Sequence, residues 1–460
     1  MNLQSSFAAL TKALLLTSMT FASWTAQAEI IGIEGTTTDG HQKTFNLEAG
    51  VAAISTPDGD SLMIWAYGDK DNMLSPVQYP GPTIIVHEGD AVTINLTNKD
   101  ISEPVSMVFP GQENVAAVVS TDLGIDGSPD RVVLTEEASE GETVTYSFTA
   151  SKPGTYLYNS GSNPDLQIEM GLTGAMIVRP AVNPDSQAYN SADSAYDHEY
   201  LFFLTEMDPA IHQSIDFGLE PDTSNYTPVL WFMNGRNGPD TLFDNNVGWM
   251  PHQPYSSLAR MHPGEKVLMR VIGAGHDMHP LHTHGNHFLQ IARDGRLLSS
   301  DPANADTVGA DLAIGDYTQQ VLPGSTYDAI FEWTGKGMGF DIYGHTDGDG
   351  STCAGSTTAA PANGPLVEDP VTFEDCRYHN VPIPITLPEN LDLTFGGFYS
   401  GSPFLGALEA LPPGEGGLNL NGGLFFMWHS HTEKELVNND IFPGGMMTML
   451  IIEPHGVPIP

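Results

Sequence analysis

Apolar and polar positions alternate along most of this chain with a period of two. Val92, Ile94 and Leu96 interleave with Thr93, Asn95 and Thr97, which predicts a half-buried strand. Thr143-Val144-Thr145-Tyr146-Ser147-Phe148 alternates again, and Pro153-Gly154 opens a turn into Thr155-Tyr156-Leu157-Tyr158. Few windows hold a helical period. From Ile30 to about Pro180 the pattern predicts an antiparallel β-sandwich. A polar stretch over 181–198 reads as a linker, and a second unit starts near Glu199-Tyr200-Leu201-Phe202-Phe203. Pro323-Gly324-Ser325-Thr326 echoes Glu140-Gly141-Glu142-Thr143, each ahead of an alternating strand, so the halves read as divergent copies of one sandwich.

Residues 346 to about 420 break the pattern with Gly, Pro, Asp and Asn, and predict a long loop-rich insertion in the second unit. The expected limits are 29–180 for the first domain and 199–455 for the second. At the start of the chain, Lys12 precedes an apolar run from Ala13 to Phe21, and Ala26-Gln27-Ala28 offers a small-x-small cleavage site. A signal peptide over 1–28, removed after Ala28, would deliver a periplasmic or secreted protein with no membrane span. In that oxidising setting the two cysteines, Cys353 and Cys376, are expected to form a disulfide across the insertion. The formal net charge of -41 reflects scarce Lys and Arg, and such a surface repels nucleic acid.

Candidate chemistry concentrates in two short segments. His279-Pro280-Leu281-His282-Thr283-His284-Gly285 and His429-Ser430-His431 both fall on strands or strand ends. Residues two apart on a strand share a face, so His282 with His284, and His429 with His431, each present two imidazoles side by side. Four such nitrogens suit copper or zinc. Ordinary imidazole titration would release the metal as pH falls through about 6 to 7. Ser430 points to the opposite face, where it offers a hydroxyl and no thiolate.

These motifs, with Pro80-Gly81-Pro82-Thr83-Ile84 and Glu88-Gly89-Asp90, resemble those of the multicopper oxidases. The resemblance implies two cupredoxin-like Greek-key β-sandwich domains, a copper cofactor and an oxidoreductase acting on a small-molecule or metal-ion substrate. It also implies the assembly of two-domain members of the family, a homotrimer. The departures are as specific as the matches. Val108-Phe109-Pro110-Gly111 and Asn159-Ser160-Gly161 stand where the family carries its other His-x-His pairs, so half of the cluster imidazoles are missing. His279, Ser430, Glu435 and Met446 stand at the blue-copper site, with Ser430 replacing the cysteine and Glu435 a histidine. The expected function is an exported copper-binding redox protein with a reduced copper centre. The alternative is a non-enzymatic copper-handling or structural envelope protein that kept the fold.

Overall fold

A computed structural model describes residues 30–37, 40–72, 77–119, 134–334, 376, 424–453 and 457–459. The expected leader, Cys353 and nearly all of the expected insertion lie outside the described residues.

The alternating segments are pleated strands. Ala91–Asn98 buries Val92, Ile94, Leu96 and Asn98 and leaves the intervening residues partly or fully exposed. Thr143–Thr149 buries Val144, Tyr146 and Phe148. The turns before Thr143–Thr149 and Thr326–Glu332 each place a glycine at positive φ, Gly141 at 81° and Gly324 at 74°. Glycine reaches that region without Cβ strain, which is why the same turn text precedes both strands.

Among the described residues the strands form four sheets. In the first half, Gln42–Ser55 runs parallel to Ala91–Asn98, then Thr143–Thr149 and Ala116–Val119 follow antiparallel. Facing it, Gly81–His87 runs parallel to Thr173–Arg179, which pairs antiparallel with Gly154–Asn159. The second half repeats this scheme. His198–Met207 runs parallel to Lys266–Gly273, followed antiparallel by Thr326–Glu332 and Phe288–Arg293. Ala259–Met261 runs parallel to Met447–Ile452, followed antiparallel by Leu424–Ser430 and His279–Thr283. The sandwiches are therefore mixed, where alternation alone predicted purely antiparallel sheets. The parallel pairs arise because the chain crosses from one sheet to the other, and side-chain period carries no record of that.

Each pair of sheets closes on its own core. Phe45, Ile94, Tyr146, Tyr158 and Met176 meet in the first, and Phe202, Met269, Phe331, Trp428 and Leu450 in the second. A third apolar cluster, Leu157 and Ala175 against Leu201, Phe203, Ile272 and Ala274, joins the two sandwiches. Beside it Arg270, fully buried, pairs with Glu199 at 2.8 Å and donates to Thr155 at 3.0 Å. Burying a guanidinium is costly unless it is paired, so this network fixes how the halves meet.

Candidate metal centre

The strand His279–Thr283 has the burial pattern of a pleat. His279, Leu281 and Thr283 point into the core, and Pro280 and His282 are half-buried on the other side. His282 lies directly across from His429 in the antiparallel pairing with Leu424–Ser430, and Leu281 lies across from Ser430. Cross-strand neighbours come within about 5 Å, so this register brings the two motifs together. The His431 amide donates to the Pro280 carbonyl at 2.8 Å and extends the pairing past the strand end.

The four imidazoles form one group. Ring centroids lie 4.8 Å apart for His282 and His284, 4.6 Å for His282 and His431, and 5.3 Å for His284 and His429. His284 Nε2 and His429 Nε2 are 3.2 Å apart. Two nitrogens held about 2.0 to 2.1 Å from one tetrahedral ion would be about 3.3 to 3.4 Å apart, so this spacing fits a shared metal. Tautomers are also constrained. His429 Nδ1 donates to the Ser430 carbonyl at 2.6 Å, which leaves Nε2 with its lone pair turned toward His284. His282 Nδ1 is 2.7 Å from Thr318 Oγ1.

Burial, followed by the neighbouring rings of His282 and His431, lowers the His284 pKa to about 4. Burial likewise lowers His429 to about 4, against the opposing pull of the Ser430 carbonyl and with help from His284, His282 and His431. His282 is lowered by burial and then by His431. His284 and His429 thus stay neutral and ligand-competent well below the ordinary histidine range, and His282 shifts in the same direction.

The opposite face holds a different structure. His279 is fully buried, with Nε2 2.7 Å from Glu206 Oε2 and Nδ1 3.0 Å from Glu435 Oε2. Burial opposes a charge there, but the two carboxylates outweigh it and raise the His279 pKa to about 9. Both ring nitrogens donate, so the ring is an imidazolium with no lone pair for a metal. Ser430 Oγ donates to the same Glu435 oxygen at 2.5 Å. Glu206 also accepts from the Asp277 amide and from Tyr226 OH at 3.0 Å, and Tyr226 OH lies 3.1 Å from Glu169. Met446 is buried in the second core, its amide bonded to the Glu435 carbonyl.

The structure therefore gathers His279, Ser430 and Glu435, as the sequence placed them, around an ion pair. Glu206 escaped sequence reading. Its signal was a carboxylate just beyond the apolar run Tyr200-Leu201-Phe202-Phe203-Leu204 in the strand His198–Met207, where a buried charge demands a partner. His276 is held by its amide to Glu206, and exposed His287 packs its ring against Tyr317. No free cysteine is found among the described residues.

The first sandwich contains the matching place. Val108 bridges antiparallel to Asn159, as His282 does to His429. Val108, Pro110, Asn159 and Gly161 thus occupy the positions of His282, His284, His429 and His431. A Cβ at Gly161 would lie 2.7 Å from Val108 Cγ1, so apolar packing fills the space that imidazoles would need.

Comparison with known proteins adds to this geometry. Residues 66–183 match the family model for multicopper oxidases. An L-ascorbate oxidase of Cucurbita pepo var. melopepo is 28% identical over 194 residues, 40% of this chain and 32% of that protein. Laccase-2 of Botryotinia fuckeliana is 26% identical over 386 residues, 79% of this chain and 58% of that protein. The chain spans about a third and about three-fifths of the lengths of these two relatives. Among solved structures, the blue copper oxidase of Nitrosomonas europaea is similar with a TM-score of 0.52 and 19% identity, covering 89% of this chain and 86% of that one. The multicopper oxidase mgLAC gives 0.52 and 19%, covering 91% and 88%. These two likenesses establish the cupredoxin-like fold.

Proposed function

The chain belongs to the multicopper oxidase family, and on that premise we propose that it is an exported copper-binding redox protein with a reduced copper centre. His282, His284, His429 and His431 hold the metal. The observation that carries this reading is the 3.2 Å approach of His284 Nε2 to His429 Nε2 within a group of four adjoining imidazoles. Copper bound there supplies one-electron chemistry between its two common oxidation states.

The protein's own part follows from its hydrogen bonds. The Ser430 carbonyl fixes the His429 tautomer, and Thr318 orients His282. Such outer partners commonly hold metal-ligating histidines in place. Where a blue-copper thiolate would stand, Ser430 donates a proton to Glu435, and the imidazolium of His279 balances the carboxylates. A second, electron-entry copper therefore has no ligand set here. In the first domain the places of four further imidazoles are filled by Val108, Pro110, Asn159 and Gly161. Simple redox chemistry on a small molecule or metal ion fits this depleted set better than four-electron reduction of oxygen.

The reading includes domains over 29–180 and 199–455, a leader cleaved after Ala28, a Cys353–Cys376 disulfide and a periplasmic or secreted location. A homotrimer is the assembly that goes with it. The exposure of His431 favours one alternative, a copper-handling protein that passes the ion to a partner. Turnover of a phenolic, nitrite or metal-ion substrate by copper-loaded protein separates the two. The reading itself is tested by copper reconstitution of the purified protein, followed by metal analysis and visible and spin-resonance spectra. Bound copper with nitrogen coupling and no intense blue band is expected. Protein that stays metal-free, or turns intensely blue, overturns it.

A further inference from the structure

A second set of metal donors lies at the entry end of the second sandwich. His198 begins the strand His198–Met207, and His262 and Glu265 flank the turn between Ala259–Met261 and Lys266–Gly273. One donor atom from each of the three lies within 4.8 Å of the other two. His198 Nε2 is 2.8 Å from Glu265 Oε2, and His262 Nδ1 is 3.0 Å from Glu265 Oε1. The turn is held firmly. The His262 amide donates to Glu265 Oε2 at 2.7 Å, and Gly264, at φ 83°, donates its amide to the Trp333 carbonyl at 2.7 Å.

A second observation points to a ligand. His262 Nε2 donates to the Val457 carbonyl at 2.7 Å. That bond keeps a proton on Nε2, and Nδ1 faces the Glu265 carboxylate, where an entering ion would replace the Nδ1 proton that Glu265 accepts. A histidine that ligates a metal through one nitrogen typically anchors the other on a carbonyl or carboxylate. The three side chains are 14 to 27% exposed, so an ion could enter and keep a solvent ligand. Two imidazoles and a carboxylate without sulfur suit an intermediate divalent ion rather than a thiolate-seeking or purely oxygen-seeking one.

We propose that His198, His262 and Glu265 form a binding site for zinc(II) or copper(II), separate from the four-histidine centre. An ion there ties the first strand of the second sandwich to the turn after Ala259–Met261 and, through His262, to the segment at Val457. Removal of the Val457 anchor would weaken binding about 10- to 100-fold, the usual effect of losing such a partner.

The test titrates zinc(II), by calorimetry, into the full chain carrying His282→Ala and His429→Ala. One equivalent is expected, together with a rise in unfolding temperature. Adding Glu265→Gln and His198→Ala should abolish both effects while circular dichroism stays unchanged. In the otherwise unaltered chain, the same pair of changes should lower zinc stoichiometry by one, which covers loss of folding in the quadruple variant. Undiminished binding after Glu265→Gln and His198→Ala overturns the proposal, as does absence of bound zinc when both sets of histidines are intact. Copper loading at the four-histidine centre is read separately and does not bear on this outcome.

Discussion

His279 has two ring nitrogens, and both face carboxylates in a buried setting, so one proton decides what this position can do. With that proton the ring is a fixed cation between Glu206 and Glu435. Without it two buried carboxylates would stand unbalanced. His279→Gln keeps a polar side chain but removes the charge, and should cost about 3 to 5 kcal/mol, the usual penalty for breaking a buried pair. Urea unfolding measures this, and a loss under about 1 kcal/mol would show that the pair matters little, being within the range of an exposed ion pair. The ordinary His-x-His reading could not reveal this ion pair, because Glu206 lies 73 residues away from His279 in sequence. The residues at 279, 430 and 435 were legible as a group, but their chemistry depended on a partner from another strand.

The paired strands His279–Thr283 and Leu424–Ser430 have a counterpart in the first sandwich, where Val108 meets Asn159. There the packing is tight at Gly161. Gly161→Ala should destabilise by about 1 to 3 kcal/mol through overpacking, and Val108→Ala in the same chain should recover part of that loss. Additive effects in a double-mutant cycle would mean that the two residues do not share the space. Much of this architecture was legible in the sequence. Alternation located the strands at Ala91–Asn98 and Thr143–Thr149, and repeated turn text exposed the duplication. Which strands run parallel was not legible, since both directions give the same period of two. The donor set at His198, His262 and Glu265 was missed because His198 lies more than sixty residues before the turn that carries the other two, and only the fold brings them together.

Across the whole molecule, two sets of histidines set opposing limits on stability. His279 titrates near 9 in the folded protein against an ordinary value of 6.5. Its contribution is full below pH 6.5 and is lost as pH rises through 9, on the order of 3 kcal/mol from that shift. His284 and His429 titrate near 4 in the folded, metal-free protein. Their neutral forms contribute fully above 6.5 and that contribution is lost as pH falls toward 4. Unfolding midpoints of metal-free protein should therefore peak near neutrality and decline on both sides. A profile that stays flat between pH 6.5 and 9 would contradict the His279 assignment. The carboxylate-rich chain, with a formal net charge of -41, adds a salt-dependent background whose screening is held fixed at constant ionic strength. The most direct test of the copper centre is metal analysis after copper reconstitution of the unaltered chain and of His282→Ala with His429→Ala, both read by spin resonance at the same protein concentration. The four-imidazole centre predicts that nitrogen-coupled copper present in the unaltered chain disappears from the double variant, whereas an identical copper signal in both would place the metal elsewhere.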